Sequence, residues 1–226
     1  MTANAVYSGP LERKDLRKRS YILTTRDRIL GALFVLLAIG AQVLYMGPAI
    51  ALLCLGLVFA YMFWVTTRWT NNSSKILPIY LLAIFVQCLH CTEEYLTGFQ
   101  LQFPRLLGYR WSNEQFLIFN GVWLAIFVLA AVGVYRGVRL AYLIVFFLAL
   151  AGGIGNGVGH IILTLKSWGY FPGVFTAPLC LAVGVALLLK LLNKMLRPLW
   201  DRLETGRYDP AEAAEDAAPV QNQTSV

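Results

Sequence analysis

The stretch of sequence that decides the architecture spans residues 76–98 and reads ILPIYLLAIFVQCLHCTEEYLTG. It is longer than the roughly 20 apolar residues that a helix needs to cross the hydrocarbon of a bilayer. Its last third nevertheless carries His90, Glu93 and Glu94, and an ionisable group at the bilayer centre costs about 2.5 to 3.5 kcal/mol on insertion scales. Such groups are expected to face a protein interior. The stretch therefore predicts a membrane-spanning helix with a polar site on one side.

Composition places the whole chain in the same class of protein. Of its 226 residues, 58% are hydrophobic and 14% are charged, which is too apolar for an ordinary soluble domain. We predict an all-α, polytopic transmembrane bundle over residues 26–200, between a basic N-terminal tail (1–25) and a flexible C-terminal tail (201–226). The six predicted spans are residues 28–46, 47–66, 76–98, 115–135, 138–165 and 172–195.

The distribution of positive charge predicts the topology. If the N-terminus is inside, sixteen of the nineteen Lys and Arg residues lie on the inner side, and three lie outside: Arg105, Arg110 and Lys166. Cytoplasmic loops carry such an excess, so we predict six spans with both termini in the cytoplasm, as suits a bacterial inner membrane. The net charge of +7 follows this pattern. The bilayer, rather than nucleic acid, is the expected partner.

The first polar cluster occupies one side of the third predicted span. Successive residues of a helix turn by about 100 degrees, so Gln87, His90, Cys91 and Glu94 project within about one third of the circumference. Glu93 flanks the side of His90. The helix is therefore predicted to have a single polar face.

A second polar cluster lies in the fifth predicted span. Asn156 and His160 are four residues apart and share a face, and counting from the predicted outer ends places them at the depth of the first cluster. Asn120 and Thr176 also fall near the outer ends of their spans. We therefore predict one polar chamber in the outer leaflet. Glycines crowd residues 152–159, where they either allow close helix packing or leave room for a ligand.

An ordered series of motifs runs through the middle of the chain. It comprises HCTEE at residues 90–94, NxxxH at residues 156–160 and YxPGxxT at residues 170–176. In this series the chain resembles the HXXEE proteins, small integral membrane proteins named for the first motif, over about residues 80–185. That family has no established general activity. The resemblance thus implies that these residues matter without implying a reaction.

The first functional interpretation is an enzyme that acts by acid-base chemistry on a lipophilic small molecule. A carboxyl group in low dielectric favours its neutral form, so Glu93 or Glu94 could hold a proton near neutral pH and deliver it to a double bond or a carbonyl. Isomerisation or cyclisation of an isoprenoid or sterol-like molecule is one concrete version. The predicted catalytic residues are His90, Glu93, Glu94, Asn156 and His160, and the predicted substrate contacts are Gln87, Asn120, Trp123, Tyr170 and Thr176.

Two other functions and one structural explanation stay open. In a metalloenzyme, His90, Glu94 and His160 would hold zinc or iron and leave a position for water or substrate. In a proton-linked transporter or lipid-binding protein, the same groups would form part of a proton relay or a binding site. The structural explanation is that these side chains only hydrogen-bond between helices and fix their packing.

Overall fold

The computed structural model describes residues 20–21, 23–67, 69–70 and 73–205. Most of the two predicted tails, residues 1–19 and 206–226, lies outside the described residues. Nearly all of the described residues are helical. In chain order the helices are α1 (Thr25–Met46), α2 (Ala51–Thr66), α3 (Ser73–Thr97), α4 (Phe99–Arg105), α5 (Asn113–Tyr135), α6 (Arg139–Phe147), α7 (Asn156–Ser167) and α8 (Ala177–Thr205).

Four helical stretches are long and apolar enough to cross a membrane: α1, residues 75–97 of α3, α5, and the continuous run 139–167. Two shorter apolar helices cover residues 53–66 and 177–192. The all-α class is therefore confirmed, and these helices are compatible with the membrane protein that composition predicts. Within the described residues, the departure from it is one pair of two-residue antiparallel strands, β1 (Ser20–Tyr21) and β2 (Trp69–Thr70).

Capping residues fix where two of the helices begin. At α1, the Thr24 hydroxyl accepts a hydrogen bond from the Asp27 backbone N–H while the Asp27 carboxylate accepts one from the Thr24 N–H. Ser112 and Gln115 make the same reciprocal pair at α5. Such reciprocal pairs, called capping boxes, satisfy amide groups that the first helical turn leaves unpaired. Asp27 also forms an ion pair with Arg139, which ties the start of α1 to the start of α6.

The fifth predicted span is not a regular α-helix. A π-helical segment, Leu148–Gly155, joins α6 to α7. A Cβ on Gly153 would lie 2.4 Å from the Cα of Gly184, so the backbones of the π-helical segment and α8 contact each other directly. A Cβ on Gly159 would meet nothing within 4 Å. Close packing and open space, the two explanations of the glycines, therefore both occur, on different sides of one helical run.

The predicted spans leave residues 99–114 as a connecting loop, but part of the segment between α3 and α5 is helical. Gly98 has a φ of 84°, which ends α3 and lets the chain restart at once as α4. Phe99 stacks on Phe103 with ring centroids 5.0 Å apart, and the Trp111 indole N–H donates to the Met46 carbonyl over 2.7 Å. These contacts hold the segment across one end of the bundle. We call α4 together with Trp111 the aromatic roof.

Candidate metal centre

Three ionisable side chains from α3 and α7 converge beneath the aromatic roof. The Nε2 atoms of His160 and His90 lie 3.1 Å and 3.6 Å from Oε1 of Glu94. One ligand atom from each of the three residues lies within 4.8 Å of the others. The exposed fractions are 0% for His90, 6% for Glu94 and 3% for His160. We call these three residues the triad.

The ring orientation of His160 is fixed by the chain that follows α7. Its Nδ1 lies 2.6 Å from the Pro172 carbonyl oxygen, which can only accept a hydrogen bond. Nδ1 therefore carries the proton, and in the neutral ring Nε2 offers a lone pair toward Glu94. Gly173 makes this contact possible, because its φ is 93° and a Cβ there would lie 2.4 Å from the imidazole Cε1.

The tautomer of His90 follows from its partner, Thr176. The Nδ1 of His90 lies 2.7 Å from the Thr176 hydroxyl oxygen, and that hydroxyl donates to the Glu93 carboxylate over 2.6 Å. A hydroxyl has one proton to give, so the contact with His90 requires the imidazole Nδ1 to be the donor. The neutral His90 ring therefore also directs its Nε2 lone pair toward Glu94.

Glu93 is engaged away from the triad. Its carboxylate accepts hydrogen bonds from the Tyr170 hydroxyl, the Phe175 N–H, and the N–H and hydroxyl of Thr176, all between 2.6 and 3.0 Å. The two amides immediately precede α8, where backbone N–H groups lack partners and the helix dipole favours negative charge. Glu93 thus anchors the segment that contacts both histidines, while a catalytic role for it stays a prediction.

Tyr170 and Thr176, which the sequence predicts to contact substrate, both donate hydrogen bonds to Glu93. We call these three residues the anchor. Burial raises the pKa of the Tyr170 phenol, and the adjacent Glu93 carboxylate raises it further. The phenol therefore keeps its proton at neutral pH and remains a donor. Within the described residues, the structure gives both side chains partners in the protein, while any contact with substrate stays a prediction.

The proton assignments leave three lone-pair atoms facing one another. His90 Nε2 is buried and has no hydrogen-bond partner in the described part of the chain. A shared proton could join His160 to Glu94, but it would leave His90 unpaired. A tetrahedral ion with bonds of about 2.0 to 2.2 Å sets its ligand atoms roughly 3.4 Å apart, close to the two triad distances. With all three ligand atoms within 4.8 Å of one another, the donor set can hold one metal ion.

A cleft of about 1100 Å³ adjoins the triad and is lined by Glu94 and His160. Most of its lining is apolar and comes from α2, α3, α5, the π-helical segment and α7. Three of the residues predicted to contact substrate line it: Gln87, Asn120 and Trp123. Trp123 packs against Phe147 with ring centroids 4.4 Å apart. The uncharged polar residues that line it are Gln87, Cys88, Cys91, Thr92, Tyr95, Asn120 and Asn156.

Two of these polar residues are linked through a thiol. Gln87 lies 3.3 Å from the Cys91 sulfur, and the Cys91 thiol donates to the Asn120 amide oxygen over 3.1 Å. Asn156 lines the cleft one turn before His160, and its side chain has no hydrogen-bond partner among the described residues. It is therefore available to a molecule in the cleft.

Several contributors to the site had no visible role in the sequence. The Pro172 carbonyl, the space left by Gly173 and the π-helical segment are all backbone features. The proline-glycine pair is a turn signal, and its position after Tyr170 was the available hint. Nothing in the local sequence shows that the turn would contact His160.

A buried polar triad within long apolar helices is compatible with a polytopic helical membrane protein that has a site inside the bundle. Residues 81–187 match the family model of HXXEE, described as a protein of unknown function with an HXXEE motif. The chain therefore carries an HXXEE region, and the resemblance predicted from the sequence is confirmed. The match includes the triad and the anchor residues Glu93 and Thr176. No curated protein and no solved structure matches the chain.

Proposed function

We propose that this protein is a membrane-embedded, metal-dependent enzyme that acts on a lipophilic small molecule. The observation that carries the proposal is the convergence of three buried acceptor atoms, Nε2 of His90, Nε2 of His160 and Oε1 of Glu94. Zinc and iron are the candidate ions, because imidazole and carboxylate groups suit both. A bound ion would supply Lewis-acid chemistry at the end of the cleft.

The surroundings of the triad support this function over a purely structural one. In metal sites, ligating histidines donate their second ring N–H to a carbonyl or another acceptor, which fixes ring orientation and tautomer. Both histidines here do so, to the Pro172 carbonyl and the Thr176 hydroxyl. Three protein ligands also leave a fourth position open, as in catalytic rather than structural zinc sites. Asn156, one turn from His160, would orient a substrate from the cleft wall.

Metal-free acid-base catalysis is the second candidate. It is favoured by the 3.1 Å separation of His160 Nε2 and Glu94 Oε1, across which one proton can be shared and passed to a substrate. In this version Glu94 and His160 act as the acid-base pair, while Glu93 positions them through Thr176. The metal-dependent function ranks first because it gives the buried Nε2 of His90 a partner while both imidazole rings stay neutral.

Membrane placement is part of the proposal. The six apolar helices α1, α2, α3, α5, α6–α7 and α8 would cross the bilayer with both termini in the cytoplasm, in keeping with the positive charge of that side. The triad would then lie in the outer leaflet of a bacterial inner membrane. Isoprenoid, sterol-like and other lipophilic molecules dissolved in that leaflet would be within reach of the cleft.

Metal content tests the proposal directly. Wild-type protein purified in detergent and supplied with Zn²⁺ or Fe²⁺ should retain near-stoichiometric metal after desalting, while His90→Ala and His160→Ala should lose it. Glu114→Gln is the matched control, because Glu114 is an exposed acid in the first turn of α5. Binding of Co²⁺ by the wild type, followed by visible absorption, gives a second measurement that does not depend on the variants folding. A wild-type protein that retains none of these ions contradicts the proposal.

A further inference from the structure

We infer that the molecule bound in the cleft is a neutral, elongated lipophile that reaches the triad from within the bilayer. The inference rests on the proposed function, because it takes the triad as the reacting end. It assigns a substrate class: a long apolar body with a single uncharged polar group, such as a hydroxyl or carbonyl. It excludes lipid phosphates and diphosphates.

The cleft is elongated, with the triad at one end. Along α5 its lining runs from Phe116, beneath the aromatic roof, to Phe127, eleven residues further into the bundle. At the helical rise this is about 16 Å. Glu94 and His160 lie at the roof end, whereas the far end is lined by apolar groups, including Phe127 and Phe147. A molecule that fills the cleft therefore presents one end to the triad and extends an apolar body away from it.

The lining of the cleft has almost no charged side chains. No Lys or Arg occurs among the described residues that line the cleft, and the carboxylate of Glu94 is its one acidic group. Phosphate groups in proteins are met by Arg, Lys or clusters of backbone N–H groups, because an unpaired charge in a low-dielectric site is strongly unfavourable. A phosphate here would face Glu94 with at most one metal ion to offset both charges. A substrate with no charge avoids this conflict.

The cleft also contains neutral amide side chains. Asn156 has an amide with both donor and acceptor atoms and no partner in the described structure, and the Gln87 and Asn120 amides lie on the opposite helices of the cleft. Amides of this kind pair with a hydroxyl or a carbonyl without requiring a charge. The cleft thus offers hydrogen bonds at the triad end and dispersion contacts elsewhere.

The surfaces around the cleft show how such a molecule would reach it. The aromatic roof covers the triad end, where Phe99 lies 5.2 Å from the His160 ring and Trp111 lies 5.7 Å from Phe103, each between centroids. At the sides, lining residues remain exposed: Leu55 by 52% and Phe59 by 53% on α2, and Ile162 by 56% on α7. Exposed apolar residues at membrane depth face lipid. The cleft is therefore closed toward one end of the bundle and open toward the acyl chains.

Photolabelling in reconstituted vesicles tests this inference. The probe is a long-chain alcohol with a diazirine in its tail, and the matched probe is the alkyl phosphate of the same length. The alcohol should label peptides of α5 and α7, and the phosphate should label them several-fold less. Gly159→Phe should reduce the labelling several-fold, because a side chain there enters open space inside the cleft. Gly40→Phe is the control, since Gly40 also has open space around it but does not line the cleft.

The outcomes separate this inference from the proposed function. Equal labelling by alcohol and phosphate, or labelling that Gly159→Phe leaves unchanged, overturns the inference even if the protein holds a stoichiometric metal ion. A protein that binds no metal yet labels selectively with the alcohol contradicts the metal-dependent function and leaves the substrate class standing. Gly159→Phe should match the wild type in helical circular dichroism and thermal unfolding, which shows that its loss of labelling does not come from unfolding.

Discussion

Glu93 and Glu94 are neighbours in the chain, yet their surroundings are opposite in kind. Glu93 accepts four hydrogen bonds from the segment that leads into α8. Glu94 is more deeply buried and faces two imidazole nitrogens that, in the neutral rings, carry lone pairs. A carboxylate surrounded by donors is satisfied by the protein alone, whereas one that faces acceptors requires a cation or a proton. Glu93 therefore belongs to the anchor, and Glu94 belongs to the triad, which we take as the reactive centre.

The largest expected difference is between Glu93→Gln and Glu94→Gln. Glu94→Gln should abolish metal retention and leave the stability of the metal-free protein unchanged or higher, because it removes a buried charge that lacks a donor. Glu93→Gln should weaken metal binding without abolishing it. It should also lower the free energy of unfolding by about 1 to 3 kcal/mol, since its amide N–H₂ would face backbone donors. Metal analysis and unfolding of the metal-free variants measure both effects, with Glu114→Gln as the control.

This comparison fails if the two variants behave alike. Equal loss of metal would mean that Glu93 contacts the ion itself. Equal loss of stability with metal retained in both would mean that the triad is a packing cluster. Either result would remove the distinction between the anchor and the reactive centre.

Thr176 should show a smaller effect that sharpens the same comparison, because its hydroxyl connects Glu93 to His90. Thr176→Val removes the acceptor for the His90 Nδ1 proton, so the ring is free to carry its proton on Nε2, the ligand atom. Outer-shell changes of this type reduce metal affinity by about 10- to 100-fold. Thr176→Ser should retain near-wild-type affinity. Competitive titration with a chelator measures the metal affinity of each variant.

Thr92→Val is the matched control for the Thr176 pair, because the Thr92 hydroxyl bonds only the Cys88 carbonyl of its own helix. If Thr176→Ser and Thr176→Val lose affinity to the same degree, the hydroxyl does not set the His90 tautomer. Nitrogen chemical shifts of labelled histidine would locate the proton directly.

The sequence predicted the meeting of the two histidines and placed Glu94 on the face of His90, but it did not predict what surrounds Glu93. Helical spacing and a common depth were enough to place His90 near His160, since both follow from the rise and turn of an α-helix. Glu93 and Glu94 lie about 100 degrees apart on α3. The donors around Glu93 come from the chain after α7, where Gly173 has a positive φ and closely approaches His160.

The π-helical segment was beyond prediction for a related reason. Its sequence, LALAGGIG at residues 148–155, is as apolar and glycine-rich as an ordinary membrane helix. The wider turn changes which side of the following helix faces the bundle, and so affects the direction of Asn156 and His160. Its presence agrees with the tendency of such segments to occur at functional sites. The spacing of four between Asn156 and His160 survives because both belong to α7.

The smallest effect is expected at Tyr170, which supplies one of the four donors to Glu93 and is itself 45% exposed. Tyr170→Phe should lower the free energy of unfolding by about 1 kcal/mol and leave metal content unchanged, because water can replace a donor at an exposed position. Tyr109→Phe, another exposed tyrosine, is the control. The raised pKa of Tyr170 adds a pH dependence: its contribution should persist below pH 10 and fall as the pH rises through the ionisation of the unfolded and then the folded phenol. Equal stability of wild type and Tyr170→Phe from neutral pH upward would show that three donors suffice to hold Glu93.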